Sequence, residues 1–321
     1  MLLPFFSSRL ERSLPLTQPI AKHLKQTVLL FLKKTNQTLE NFRITQFLLL
    51  LVLAQAPFFS LSSFADVVIK INGSTTVNPI VSDGSEYFRK KGWKVYVDTQ
   101  GGSSGGISHL AEGLIQIGMS SKEINAYDKK KFPKTNFKSH IIGYDGVALV
   151  VSKNVYDSGI NSLNKDQIKN IYEGKIKNWS QLGGLKKPII FYNKEPGRGT
   201  WEVFANFIYG ESRLAPKVFH SEVGANQEAR FKVASHSNAM TQLSASWLQT
   251  QDKIKAIAIV NAAGVPIPPN LENIKNGTYP MKRPLLLITK GKVEKHTKEF
   301  IDFFLSTKGQ ELVLKHGYLG I

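Results

Sequence analysis

At 321 residues, 42% of them hydrophobic, the chain has room for one large domain or two modest ones with a sizeable core. Lys and Arg number 42 against 24 Asp and Glu, a formal net charge of +18, so anionic partners are favoured: nucleic acid, acidic membrane surfaces or small oxyanions. There is no cysteine, which excludes disulfides, thiolate catalysis, Cys-bound metal and a lipid-modified N-terminal Cys.

The first segment with a clear pattern is FLLLLVLAQAPFFSLSSF, Phe47 to Phe64. Arg43 precedes it and the small-residue stretch Ser63–Ala65 follows, the layout of a secretory signal peptide cut after Ala65. Pro57 and the Ser-rich end argue against a full membrane span, although a retained signal anchor is the alternative. Residues 1–46 exceed an ordinary n-region, so either the true start lies further in or the leader is unusual. Residues 1–65 hold seven Lys/Arg and two Asp/Glu, and their removal leaves the chain basic at +13.

From Asp66 onward short β-branched runs alternate with helical patterns. Val67–Ile71 reads as a strand, and Asn78–Gly92 as a helix weakened by Gly84. Lys94–Thr99 is a strand, Gly105–Leu114 a helix, Ile115–Ser121 a short strand and Gly146–Ser152 another. Lys165–Trp179 carries Ile168, Ile171 and Tyr172 at helical spacing. Pro188–Asn193 reads as a strand and Thr200–Gly210 as a helix. The strands Ile254–Asn261 and Arg283–Thr289 and a final helix pair within Lys298–Gly317 complete the pattern. This alternation predicts an α/β architecture with a largely parallel sheet.

One kind of junction occurs three times. INGSTTVNP, TQGGSSGGI and YNKEPGRGTW each run from a strand through glycine and hydroxyl residues into a helix. The first turn of a helix has unsatisfied N–H groups and the positive end of the dipole, and an oxyanion there collects those donors. In an open α/β sheet such loops lie at the carboxyl ends of strands, where ligands bind. Ser or Thr N-capping explains any single junction equally well, but three in one chain favour an anion site. The charge does not suggest nucleic acid, because the basic residues are spread along the chain and no recognition motif is present. Neither Gly-x-x-x-x-Gly-Lys-Ser/Thr nor Gly-x-Ser-x-Gly occurs. Ser104 has His109 five residues on but no identifiable orienting acid, and the seven His residues lack metal-ligand spacing. Binding is therefore favoured over catalysis, with no metal and no cofactor expected.

At these residues the chain resembles the periplasmic phosphate-binding proteins of phosphate ABC transporters, the PstS family. The likeness is carried by INGSTTVNPI, TQGGSSGGISHLAEG, IQIGMSSKEI, DGVALVVSKN, IYEGKIKNWSQLGG, GRGTWEVFANFI, NIKNGTYPMKRPLLLITKGK and FIDFFLSTKGQELVLKHGYLGI, in that order. The resemblance implies a two-lobed type II periplasmic-binding fold with the ligand between lobes joined by a two-segment hinge. Crossings are expected near Tyr144–Gly146 and Val260–Gly264. Lobe 1 is then residues 66–144 and 264–321, lobe 2 residues 145–263, and the leader residues 1–65. It implies a monomeric, exported, non-lipidated protein that captures inorganic phosphate and passes it to an inner-membrane permease.

Carried over by position, the resemblance implies phosphate contacts from Thr75, Thr76, Ser103, Ser121, Lys194, Arg198, Gly199 and Thr200. Two departures stand out. Ser121 lies where some members have an Asp that accepts the proton of hydrogen phosphate. The third loop reads Arg198-Gly199-Thr200 instead of Ser-Gly-Thr, and Lys194 stands where an Arg usually pairs with phosphate. A Lys is a point charge where Arg offers a two-pronged grip, so which of Lys194 and Arg198 touches the ligand is open. Sulfate or molybdate as ligand, an exported phosphatase, and an adhesin of the same fold are the competing readings.

Overall fold

The computed structural model describes residues 22–23, 26–31, 33–35, 67–248 and 253–321. The apolar segment at 47–64 and the expected cleavage point at Ala65 lie outside the described residues. No helix among the described residues is long and apolar enough to cross a membrane. Residues 65–321 form one compact unit, described from here on.

The chain opens with β1 (Val68–Gly73), α1 (Asn78–Arg89), β2 (Lys94–Asp98), α2 (Gly102–Glu112), β3 (Ile117–Ser120) and α3 (Ala126–Lys131). β1 pairs in parallel with β2 on one side and β3 on the other. β11 (Lys282–Lys290) then runs antiparallel between β3 and β4 (Phe137–Ser152). Ile69, Ile71, Val77, Ile80, Phe88, Phe300 and Phe304 fill one face of this sheet, and Ile107, Leu110, Leu286 and Ile288 the other. Both faces are covered, so the first lobe is three-layered.

The second lobe is built from α4 (Lys153–Asp157), β5 (Ser162–Asn164), α5 (Lys165–Tyr172), β6 (Ile190–Lys194), α6 (Gly199–Tyr209), β7 (Ser221–Val223), α7 (Asn226–Ala234), β8 (Ala239–Ser244), β9 (Ile254–Val260), β10 (Pro266–Ile267) and α8 (Leu271–Lys275). β6 lies parallel to β7 and β8. β8 and β9 both run antiparallel to the second half of β4. Val147–Val151 is fully buried, as expected of a strand with helices on both faces. The chain ends in α9 (Lys295–Leu305) and α10 (Thr307–Lys315), back on the first lobe.

β4 joins the lobes as one strand. Phe137–Gly146 pairs with β11, whereas Val147–Ser152 pairs with β8 and β9. The partners of β4 therefore change between Gly146 and Val147. β10 still pairs with β9, and Ile274, Tyr279 and Met281 pack in the same cluster as Val147, Trp179 and Phe204. Burial of those three side chains keeps the chain with the second lobe until Met281, and the return is made by the first residues of β11.

Two expectations need correction, and one gains a second cause. The sheet is mixed rather than largely parallel, because β4 and β11 run against their neighbours. The helix expected over 165–179 stops at Tyr172, where Gly174 takes a positive φ of 71° and Trp179 starts a short 3-10 turn. Gly84 is a packing requirement as well as a propensity cost. A Cβ there would meet the Phe304 ring at 2.4 Å, so its absence lets α9 press onto α1.

Candidate anion site

The three junctions meet in one narrow cavity between the lobes. All eight residues singled out in the sequence line it: Thr75, Thr76, Ser103, Ser121, Lys194, Arg198, Gly199 and Thr200. Ser74, Gly102, Gly224 and Asn226 complete the wall. No carboxylate lines it, so the lining offers N–H and O–H donors and cations.

Helix ends explain much of this polarity. α3, α5, α8 and α10 are capped by the side chains of Asn125, Asn164, Asn270 and Ser306. The four helices that start at the cavity, α1, α2, α6 and α7, have no side-chain cap, and neither do α4 and α9 away from it. Capping by Ser or Thr therefore does not account for the three junctions. The hydroxyls instead bond to one another and to groups from other elements. Ser74 Oγ donates to Ser121 Oγ at 2.9 Å, and Ser121 N–H donates to Ser103 Oγ at 3.1 Å. Gly199 comes in from the second lobe so closely that a Cβ would lie 2.5 Å from Ser121 Oγ and 2.7 Å from Ser103 Oγ.

Arg283, which sequence reasoning did not single out, stands directly behind the cavity hydroxyls. It is 2% exposed at the head of β11. Its Nε and Nη2 donate to Asp145 Oδ2 at 2.9 and 2.7 Å. Its remaining donors reach the cavity hydroxyls: Nη1 to Thr200 Oγ1 at 2.9 Å and Ser121 Oγ at 3.3 Å, and Nη2 to Thr76 Oγ1 at 3.2 Å. Asn226, also missed, donates from Nδ2 to Thr76 Oγ1 at 2.9 Å. Tyr318 holds the same loop from behind by donating to Thr76 O at 2.7 Å, and burial pushes its phenol well above the usual range.

The two cations of the third loop behave differently. Lys194 is 1% exposed, and its Nζ donates to the carbonyls of Gly224 at 3.0 Å and Ala225 at 2.8 Å. Burial, reinforced by Arg198 and Arg283 nearby, brings its pKa down to about 7. Arg198 lies across the first turn of α2, where a Cβ on Gly102 would meet its Cδ at 2.6 Å. Its Nε and Nη2 are held by Glu195 Oε2 at 2.8 and 2.7 Å. Arg283 and Arg198 are thus each neutralised by a carboxylate, and the Lys194 ammonium is held only by carbonyls. His109 Nδ1 accepts from Asn72 Nδ2 at 2.7 Å.

A family profile described as "PBP superfamily domain" matches residues 53–308. The Bacillus subtilis phosphate-binding protein PstS is 29% identical over 255 residues, covering 79% of this chain and 80% of its own. A Clostridium perfringens protein, assigned as a phosphate ABC transporter substrate-binding protein and solved with bound phosphate, superposes with a TM-score of 0.69 at 30% identity. That match covers 79% of this chain and 99% of the other. An ABC-type phosphate transport receptor from Vibrio cholerae gives 0.63 at 28% identity, over 79% of this chain and 100% of its own. With a two-lobed type II periplasmic-binding fold and the family profile spanning most of its length, the chain belongs to the PBP superfamily domain family.

Proposed function

We propose that this chain is an exported solute-binding protein that captures inorganic phosphate between its lobes and delivers it to an ABC importer. The observation that carries this is the cavity itself. Four uncapped helix ends, a set of hydroxyls and the Lys194 and Arg198 cations converge there without a carboxylate in the lining. Such a lining suits a small oxyanion and repels nothing it carries. The relatives named for phosphate binding supply the ligand's identity.

In this reading Thr75, Thr76, Ser103, Ser121, Lys194, Arg198, Gly199 and Thr200 contact phosphate, joined by Asn226 and Arg283. The role is binding rather than catalysis, since His109 is engaged by Asn72 and cannot serve Ser104 as a base in this arrangement. Lobe 1 is residues 66–144 and 282–321, lobe 2 residues 145–281, and residues 1–65 are a leader removed after Ala65 on the way to the periplasm. The protein works as a monomer beside the permease.

Calorimetric titration of the chain from Asp66 with phosphate tests the proposal. Saturable binding at micromolar concentration or tighter is expected, with a matching rise in Tm by mass action. No heat and no Tm shift up to millimolar phosphate would overturn it. Sulfate is the informative competitor. With Ser121 already accepting from Ser74 and Arg283, the lining has no carboxylate to take the proton of a protonated oxyanion, which favours a second reading in which sulfate also enters. Displacement of phosphate by equimolar sulfate would establish that reading.

A further inference from the structure

A second buried polar cluster joins the lobes outside the anion cavity. Lys122 Nζ lies 2.6 Å from Asp128 Oδ2 and 3.2 Å from Glu202 Oε2. Asn125 Nδ2 donates to Glu202 Oε1 at 2.8 Å. The three charged side chains are only 2%, 8% and 11% exposed. None of these residues lines the cavity.

The cluster is asymmetric in a way that bears on motion. Lys122, Asn125 and Asp128 all belong to the first lobe, in the segment from β3 into α3. They are fixed there by a capping box, with Asn125 Oδ1 accepting from Asp128 N–H at 2.9 Å and Asp128 Oδ2 from Asn125 N–H at 3.2 Å. Glu202 alone comes from the second lobe, in the first turn of α6. Its side-chain partners, Lys122 and Asn125, both lie across the cleft. If the lobes part, Lys122 keeps Asp128, whereas Glu202 exchanges both donors for water. Lys122 directly follows Ser121, and Glu202 is two residues past Thr200, so each half of the cluster is tied to one wall of the cavity.

We propose that Glu202 is a closure latch: a positioning residue that touches no ligand but holds the second lobe's wall against the first. Truncating one partner of a buried, hydrogen-bonded charge pair acts mainly on dissociation, and a ligand's apparent affinity scales with the population of the state that holds it. Arg213, in the short 3-10 turn Ser212–Leu214 that follows α6, places its guanidinium 4.2 Å over the Tyr127 ring of α3, but its exposure makes it the weaker contact.

The inference takes its ligand from the proposed phosphate reading, and its test is built so that the two fail separately. Stopped-flow dissociation of phosphate is compared between wild type and Glu202→Gln. The latch predicts about tenfold faster release, association within about threefold of wild type, and an unchanged urea midpoint in the absence of phosphate. Because the chain has no cysteine, Lys130→Cys and Lys217→Cys, exposed positions on opposite lobes, accept spin labels at those two sites alone. Glu202→Gln should shift the label distances toward longer values, with and without phosphate. Release rate and distances equal to wild type would overturn the latch. A lowered urea midpoint with unchanged distances would also overturn it, as the sign of a merely structural role. If wild type binds no phosphate, the functional proposal fails instead, and the distance comparison without ligand still decides the latch.

Discussion

Arg283 and Asp145 face each other in the register of β11 and β4, at the place where both strands pass between the lobes, with Arg283 Nη2 2.7 Å from the carboxylate. A fully buried guanidinium is tolerable because Asp145 neutralises it there. Its remaining donors then reach Thr76 in one lobe and Thr200 in the other. The hinge and the anion cavity therefore share one side chain.

Removing Asp145 alone should be the most damaging change at this pair. Asp145→Ala leaves Arg283 buried and unneutralised, and a loss of about 3–5 kcal/mol in urea unfolding is expected. Adding Arg283→Met should restore most of that stability while leaving phosphate binding weakened by about 1.5–3 kcal/mol, the range for a hydrogen bond to a charged group. Recovery of binding in the double variant would show that Arg283 serves the hinge alone.

Lys194 gives the site a pH dependence whose sign can be worked out. Its folded pKa is depressed from 10.5 to about 7, so between those values the unfolded chain holds the proton and the folded chain does not. This group alone makes stability rise with pH from about 7 to 10.5. An anion beside it favours the ammonium, so binding takes up a proton and weakens as pH climbs above 7. Calorimetry at pH 8.5 in two buffers of different ionisation enthalpy should reveal that uptake, and Lys194→Met should abolish it. Equal heats in both buffers for wild type would rule out Lys194 as the titrating group.

Arg198 is the more exposed cation and already has Glu195 as partner. If it grips the anion, Arg198→Ser costs roughly 1.5–3 kcal/mol of binding. A change below about 0.5 kcal/mol, within the range of ordinary surface substitutions, would return Arg198 to a solvated surface role and leave Lys194 as the ligand's cation.

Gly199→Ala separates closing from folding. The added Cβ would collide with Ser103 and Ser121, which belong to the opposite lobe. Parting the lobes relieves the clash, so the unfolding midpoint should stay near wild type while phosphate affinity falls by about a hundredfold or more. A variant that binds normally would show that Gly199 is not pressed against those hydroxyls in the bound state.

The cavity walls were legible in the sequence where glycine and hydroxyl residues cluster between a strand and a helix, because the backbone demands of such a junction are local. Arg283 was not. It reads as the polar head of an apolar strand, and only the return of β11 through the hinge brings it to the cleft. Strand β8 was missed for a related reason. AMTQLS looks like a loop, but Thr241 donates to Tyr192 O and Gln242 both donates to Asn193 Oδ1 and accepts from Lys194 N–H, so its polar groups are satisfied inside the sheet. Asn226 was hidden in α7, whose apolar positions follow no clear helical stripe. What the sequence withheld was long-range pairing, which no local pattern encodes.

The same long-range pairing sets the order in which the protein can be completed. β3 has β1 on one side, but on the other it needs β11, some 160 residues further along the chain, and the hinge strand is stapled at Tyr144 by Leu319 near the C-terminal end. The first lobe therefore cannot finish its sheet on a growing chain until β11 has been synthesised. Contacts of such separation carry a heavy loop-closure cost and form slowly. The topology itself delays completion of the first lobe until β11 and Leu319 are available to pair.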